Sequence, residues 1–523
     1  MKKKFWLTTL LSLTAAFTVA CSTGDKATNT TPTSGNKDQF TYAISADPTV
    51  TNPLRTTDRW GLTYTNMIFS PLVRIEGDGA KKYELAKSLE PSADGKKIKV
   101  VLRDDVKWSD GEKFTADDVV YTYNQLAKKE NKREQKMQVD GQPIKIVKVD
   151  DYTVEFRLPS ASAAAIENVA TETYILPEHV YSKVSDLSGN DVSGVQPVGT
   201  GPYKLDEYKR GEYIKLSANE HYFGGKASVN NVVLRIIPSS ETTKVALQKG
   251  EVDAAVVLPS DVADLDKNAI TAYPYSENRV GYLGLNANTD ELKDVKVRQA
   301  IMFALNKEEL NKAVYLDGQY YTTPNSFLPT ANPFKTDDVE KYATNVEKAK
   351  SLLSEAGKSN LTLKLWYTGN DKAQTLQATL IQQQLKAAGI NVELNGVESA
   401  ALTAELKNKD SKAYHMFLNG YIWGNDPDLY NVMYTSNGPN NYFKLKSAKV
   451  DELFKSGAVE LDSAKRKEIY NNLQKEIANE AVVYPIVDNK RVLAVNNRVA
   501  DVEKAGLVPI YTFEDVSKLT IKQ

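Results

Sequence analysis

Apolar side chains recur at every second position in some stretches of the chain and at every third or fourth in others, with turn residues between. Ile98, Val100 and Leu102 alternate after the turn pair Asp94-Gly95, and Asp110-Gly111 precedes Phe114, which predicts consecutive strands. A further strand is expected through Tyr152, Val154, Phe156 and Leu158, stopped by Pro159. Between them, Thr115 and Asp118 have capping-box spacing ahead of Val119, Val120, Tyr121 and Tyr123, the signature of a helix start. A mixed α+β module therefore fits residues 72–195.

Further along, Leu361, Leu363 and Leu365 alternate as a strand, Leu376, Leu380, Ile381, Leu385 and Ala388 recur at helical spacing, and Gly389 ends that helix before Ile390, Val392 and Leu394. Strand, helix and strand in that order imply a parallel pair. Helices near Glu347–Ala356, closed by Gly357, and over Ser463–Ala478 would cover such a sheet. Residues 238–257 repeat the logic, with Ser239 or Ser240 as cap, Gly250 as terminator and an apolar strand over Val252–Val257. The fold class is α/β with more than one sheet, and no repeat of 20 to 50 residues points to a solenoid or propeller.

The N-terminus has a different character. Lys2, Lys3 and Lys4 precede an apolar run from Phe5 to Ala20, the charged and apolar regions of a secretory leader over residues 1–20. Cys21, the only cysteine among 523 residues, follows at once. It cannot form an intrachain disulfide, and Thr18-Val19-Ala20-Cys21 resembles the bacterial lipobox, with Thr18 where Leu is usual, so Cys21 is the expected lipidation site. Residues 22–37 are small and polar and read as a flexible tether.

Cleavage after Ala20 would take the formal net charge from −1 to −4, since the leader holds three basic residues and no acidic one. That balance excludes a nucleic-acid footprint. The basic run Lys128, Lys129, Lys132, Arg133 and Lys136 is interleaved with Glu130 and Glu134, as on a solvated helix face. About 485 residues remain after the tether, more than one core serves, so two or three domains are expected.

Catalytic and metal signatures are missing. His179, His221 and His415 are far apart and form no ligand pair, and there is no GxSxG elbow, no P-loop and no thiol beyond Cys21. Gly199-Thr200-Gly201-Pro202 is read as backbone geometry, and the acid pairs Asp104-Asp105 and Asp117-Asp118 as turn and helix-start structure. The expectation is no enzyme, no cofactor and no metal; a secreted hydrolase is the rival from another class.

Several blocks together resemble the family 5 bacterial solute-binding proteins, the dipeptide- and oligopeptide-binding lipoproteins of ABC importers. They are Val106-Lys107-Trp108-Ser109-Asp110-Gly111 with Phe114-Thr115-Ala116-Asp117-Asp118-Val119, then Pro197 to Tyr203, Gly250-Glu251-Val252-Asp253, Val297 to Ile301, and Lys348-Ala349-Lys350 through Ala356-Gly357. The resemblance implies a two-lobed clamp of the periplasmic-binding-protein type, class II, with an additional α+β domain. It implies discontinuous boundaries: lobe I over 38–71, 196–285 and 488–523, the extra domain over 72–195, and lobe III over 286–487.

Tyr421-Ile422-Trp423-Gly424-Asn425-Asp426-Pro427-Asp428 is similar to the segment in which peptide-binding members hold the ligand's α-ammonium. The resemblance places that anchor at Asp426, with Trp423, Tyr421 and Asn425 as neighbouring ligand-site candidates. A carboxylate suits a buried ammonium; read alone, Asn425 to Asp428 make a turn. The chain departs from the large oligopeptide-binding members at Gly420, where they carry arginine, and in having no cysteine pair in lobe III. The 28 tyrosines are candidates for lining a wet cavity. The implied protein is a monomeric peptide receptor on a Gram-positive cell surface, held by its lipid and serving the permease of an ABC transporter. Alternatives on the same fold are a nickel chelate, haem, an oligosaccharide or a signalling peptide as ligand.

Overall fold

The computed structural model describes residues 38–76, 79–131, 133–165, 169, 173–191, 195–358, 360–422 and 424–522. The expected leader, Cys21, the tether and Trp423 lie outside the described residues.

Strand periodicity in the first third builds a four-stranded antiparallel sheet, ordered Ala86–Pro91, Lys97–Leu102, Thr153–Arg157 and Lys145–Asp150. Its inward residues, Ile98, Val100, Leu102, Val154 and Phe156, pack with Trp108, Phe114 and Tyr123 in one apolar cluster. The helix Ala116–Leu126 starts on the expected capping box at Thr115 and Asp118. Asp118 also accepts the Trp108 indole N–H at 3.3 Å and the Glu178 amide at 2.9 Å, so this acid is structural. Beyond Asp110-Gly111 the chain forms an isolated bridge, Lys107 with Lys113, instead of a further strand.

The basic run departs from its expectation. The helix ends at Leu126, and the chain continues as two short 3-10 turns, Lys129–Asn131 and Glu134–Met137. Arg133 is turned inward, 6 % exposed, and donates to the Thr56 carbonyl at 3.0 Å, so a charge counted as solvated satisfies a buried carbonyl.

Among the described residues, eleven further strands form a mixed sheet, and four two-stranded pairs stand apart from it. At one end Gln39–Ile44 runs parallel to Asn231–Ile236 and to Ala254–Val257. At the other the βαβ unit appears as expected: Thr362–Thr368, the helix Lys372–Ala387 and Asn391–Val397, with the two strands parallel and Gly389 at φ 85°. Two long antiparallel strands, Ile270–Leu285 and Val483–Asn496, join the ends. Their register slips between Ser276 and Val280, and Asn278 there takes φ 49°. The half holding Gln39–Ile44 carries apolar clusters around Phe40, Tyr42 and Leu234 and around Ala43, Leu247 and Val492. The half holding the βαβ unit has clusters around Leu363, Ile381 and Leu385 and around Tyr282, Phe417 and Tyr434. The sheet is thus buried as parallel strands require.

The Gly199-Thr200-Gly201-Pro202 segment is pinned by close approach. A Cβ on Gly199 would lie 1.8 Å from the Ile68 carbonyl oxygen, and one on Gly201 2.6 Å from the Ile68 carbonyl carbon. Only glycine admits that contact, which joins the helix Arg59–Ile68 to the start of the strand Tyr203–Lys209.

Candidate functional site: a cavity among three walls

A cavity of about 1340 Å³ lies among three parts of the fold. One wall comes from the helix bearing Arg59 and Leu62, another from Val73 to Glu76 and Arg133 to Gly141, and the third from Ile422, Gly424, Asn425 and Asp428 to Phe454 and Ala458. Asn278, at the register slip of the long strand, sits on its surface. Hydrogen bonds tie the walls together beside it: the Asn425 amide donates to the Glu76 carbonyl, and Ala163 N–H to the Ala458 carbonyl at 2.9 Å.

Charged side chains cluster on these walls. Arg59 pairs with buried Glu277, which also lies 3.7 Å from Arg491, and Arg74 pairs with Glu84. Burial acts on Arg74 to disfavour its charge, and Glu84 more than compensates, so the guanidinium stays firmly protonated.

The segment singled out by sequence lies beside this cavity. Asp426 is 5 % exposed and precedes the 3-10 helix Pro427–Tyr430 as its cap, accepting Asp428 N–H at 2.9 Å. The same Oδ1 accepts from Arg466 at 2.7 Å. Arg466 also donates to the Gly457 carbonyl at 2.8 Å and stacks against Phe334 and Tyr470. Asn425 reaches the cavity surface, and its carbonyl accepts from Asn332 at 3.0 Å.

Tyr421 points the other way. On the strand Met416–Ile422 successive side chains alternate faces, so Ile422 meets the cavity while Tyr421 donates to the Phe327 carbonyl at 3.0 Å and lies 2.9 Å from the Tyr434 hydroxyl. Most tyrosines share that fate: Tyr282, Tyr414, Tyr430 and Tyr434 are buried with it, and Tyr174 and Tyr511 are the two on the cavity surface among the described residues.

Sequence reasoning passed over Asp428 as part of a turn and did not single out Arg466 at all. Asp428 lines the cavity and accepts from the Asn431 amide at 3.3 Å. Burial, and next the charge of Asp426, push its carboxyl up to about 7. Arg466 lies 40 residues from Asp426, and no local pattern announces the pairing. Gly420 also gains a reason: a Cβ there would lie 2.3 Å from the guanidinium of Arg279, so an arginine from the neighbouring strand fills that space.

Among the described residues, no group of three or more His, Cys, Asp or Glu is placed to hold a metal ion. His179 pairs with Asp110 at 2.8 Å and His415 with Glu291 at 3.1 Å.

Residues 82–444 match the family model described as bacterial extracellular solute-binding proteins, family 5 Middle. The chain belongs to this family. Its fold is the family's two-lobed α/β clamp. The chain is 30% identical over 504 residues to the oligopeptide-binding protein AppA of Bacillus subtilis, covering 92% of each. It is 25% identical over 478 residues to the nickel-binding periplasmic protein of Escherichia coli, covering 86% of this chain and 89% of that protein. Among solved structures it is similar to the ABC transporter substrate-binding protein CtaP of Listeria monocytogenes, with a TM-score of 0.88, 36% identity, and 93% of this chain and 99% of that one covered.

Proposed function

We propose that this family 5 protein captures peptides in its cavity and hands them to the permease of an ABC transporter, without doing chemistry on them. The observation that carries this reading is the cavity itself. At about 1340 Å³ it exceeds the 300 to 1,000 Å³ of sites for drug-sized ligands, and it would hold roughly 45 waters at about 30 Å³ each. Such room suits an oligopeptide with solvent around its side chains, which is how varied sequences are tolerated. The oligopeptide-binding relative at 30% identity supports the same choice of ligand.

The ligand's ammonium is assigned to the acidic pair Asp426 and Asp428. Arg466 pairs with Asp426, and Asp428 beside it has no ion pair among the described residues, so an ammonium arriving from the cavity would favour the ionised form of Asp428. In this arrangement Asp426 fixes the segment, Asn425 and Asp428 meet the ligand, and Tyr421 supports the wall from behind. Trp423 stands next to them in sequence and completes the proposed site. Lobe I over 38–71, 196–285 and 488–523, the extra domain over 72–195 and lobe III over 286–487 are the proposed moving parts, hinged where the long strands slip register.

Anchoring through Cys21 at the outer face of a Gram-positive membrane, as a monomer, belongs to the same reading. Among the described residues no helix is long and apolar enough to cross a membrane.

The test is thermal melting of residues 38–523 against pools of dipeptides, tripeptides, pentapeptides and longer peptides. Stabilisation confined to the longer pools is expected, since ligand at 100 times its Kd adds about 2.7 kcal/mol. A shift with dipeptides alone would contradict the size argument. No shift in any pool, with refolded protein free of carried-over ligand, would reject peptides and return attention to metal chelates or sugars.

A further inference from the structure

Two of the cavity's walls are backed by apolar cores that do not merge. One core holds Ile98, Val100, Phe156 and Ala165, and the other Val450, Leu453, Phe454 and Tyr470. Contacts join the two bodies at two places, and both places reach the cavity surface, through Ser162 and Ala458 at one and through Glu76 and Asn425 at the other.

At the first place the helix Ala448–Val459 ends. A helix leaves its last four carbonyls without partners of its own. That of Ala458 accepts from the Ala163 N–H, on the other body, at 2.9 Å. The run from Ser160 to Ala165 has no side chain larger than serine, which lets the two backbones meet. Leu461 follows, one residue before Asp462, the cap of the helix Ser463–Glu480. An apolar residue in that position commonly packs back on the fourth residue of its own helix. Here the fourth residue is Arg466, which is engaged with Asp426, and Leu461 meets the other body instead. A Cβ on Gly95 would lie 2.9 Å from both methyl carbons of Leu461 and 3.2 Å from the Ala161 Cβ, and Gly95 takes φ 64°. The leucine fills a socket that a glycine and an alanine leave open, and it remains 45 % exposed.

At the second place the Asn425 amide donates to the Glu76 carbonyl, and a Cβ on Gly79 would lie 3.2 Å from the Pro333 ring. A half-exposed leucine and a pair of hydrogen bonds make a slight joint, of the kind that opens and re-forms. The joint exists only while the bodies stand together. A ligand gripped by both walls needs them together as well, so whatever favours the joint tightens binding by one factor for every ligand.

We propose that Leu461 in its socket, with the bond from Ala163 to Ala458, is a latch between the proposed extra domain and lobe III that adds a ligand-independent share to capture. The assignment rests on the reading of these as moving bodies and deepens it. Part of the affinity of a receptor for varied sequences then comes from the receptor's own contacts and asks nothing of the ligand's side chains.

Two measurements on the full-length chain test it, with Leu461→Ala and Leu461→Asp beside the wild type. The first is hydrogen exchange of the Ala163 amide without ligand, since its acceptor lies on the other body. Exchange is expected to be about 5-fold faster in Leu461→Ala, the factor for losing a half-buried leucine side chain, and faster still in Leu461→Asp. The second is calorimetry with three hexapeptides of unlike sequence, one acidic, one basic and one apolar. Leu461→Ala should weaken all three by about 5-fold, equal within about twofold. Melting curves verify that the variants fold, and Leu461→Ala alone carries the test if Leu461→Asp does not.

Losses that depend on the peptide would make Leu461 a ligand contact and overturn the latch. Unchanged exchange would overturn it, and so would unchanged affinity even with faster exchange, because the joint would then have no part in capture. If no peptide binds the wild type, the peptide reading fails separately and exchange decides alone. Faster exchange in Leu461→Ala would then sustain the latch, and equal exchange would end it.

Discussion

Asp428 sits where water is scarce and a second carboxylate is near, and its titration follows from both. With a carboxyl raised to about 7, the folded chain holds a proton that an unfolded chain, with aspartate near 3.9, has already released. Stability from this group is therefore full below about pH 4 and lost as pH rises to about 7. Asp428→Asn should be stabilised relative to the wild type, by a margin that opens between pH 4 and 7 and stays level above; a constant margin across that range would contradict the assigned environment. A bound cation favours the ionised form, so affinity for a cationic peptide should rise with pH through the same window. At this scale the sequence was informative about residue type and poor about partners. Asn425 to Asp428 read as a turn, and Asp426 does cap one; that Arg466 meets Asp426 depends on a contact between segments far apart in the chain.

Among the elements, local signals were strong where a cap or a turn glycine marked the boundary. Thr115 and Asp118 form their reciprocal bonds, Ser239 caps Ser240–Gln248, and Gly250, Gly357 and Gly389 all take left-handed backbone. Thr115→Ala is expected to cost about 1 kcal/mol in chemical denaturation, the usual loss for an N-cap. Gly199→Ala should be far worse, because its Cβ would meet the backbone of Ile68 and no side-chain rotation can relieve that. A Gly199→Ala protein that melts like the wild type would show that the helix Arg59–Ile68 can shift freely. The basic run misled because charge pattern reports periodicity and says nothing of which carbonyl lies within reach; Arg133 was taken inward by Thr56. The strand expected after Gly111 shrank to a bridge: the Trp108 amide donates to the Glu112 carbonyl at 2.8 Å and the Phe114 amide to the Val106 carbonyl at 3.2 Å, and the helix cap at Thr115 ends the pairing there.

At the scale of the molecule, α/β class and the parallel βαβ unit were legible because period and order are local properties. The joining of both halves through Ile270–Leu285 and Val483–Asn496 was not, since nothing in either sequence names the other as its neighbour. These pairings are long in sequence: Thr41 and Asp253, which share a hydrogen bond, are 212 residues apart, and Asp253 and Arg498 are 245 apart. A chain ending after Ala481 should lack a cooperative melt even though every earlier element is present, because both halves would expose an unpaired strand. Val483–Asn496 also comes after every other strand of the large sheet in chain order. Until then the growing polypeptide has two unfinished sheets and no clamp, and must be shielded from association with its neighbours. That delay makes the completion of both halves a single late event, set by one strand and shared by the whole sheet.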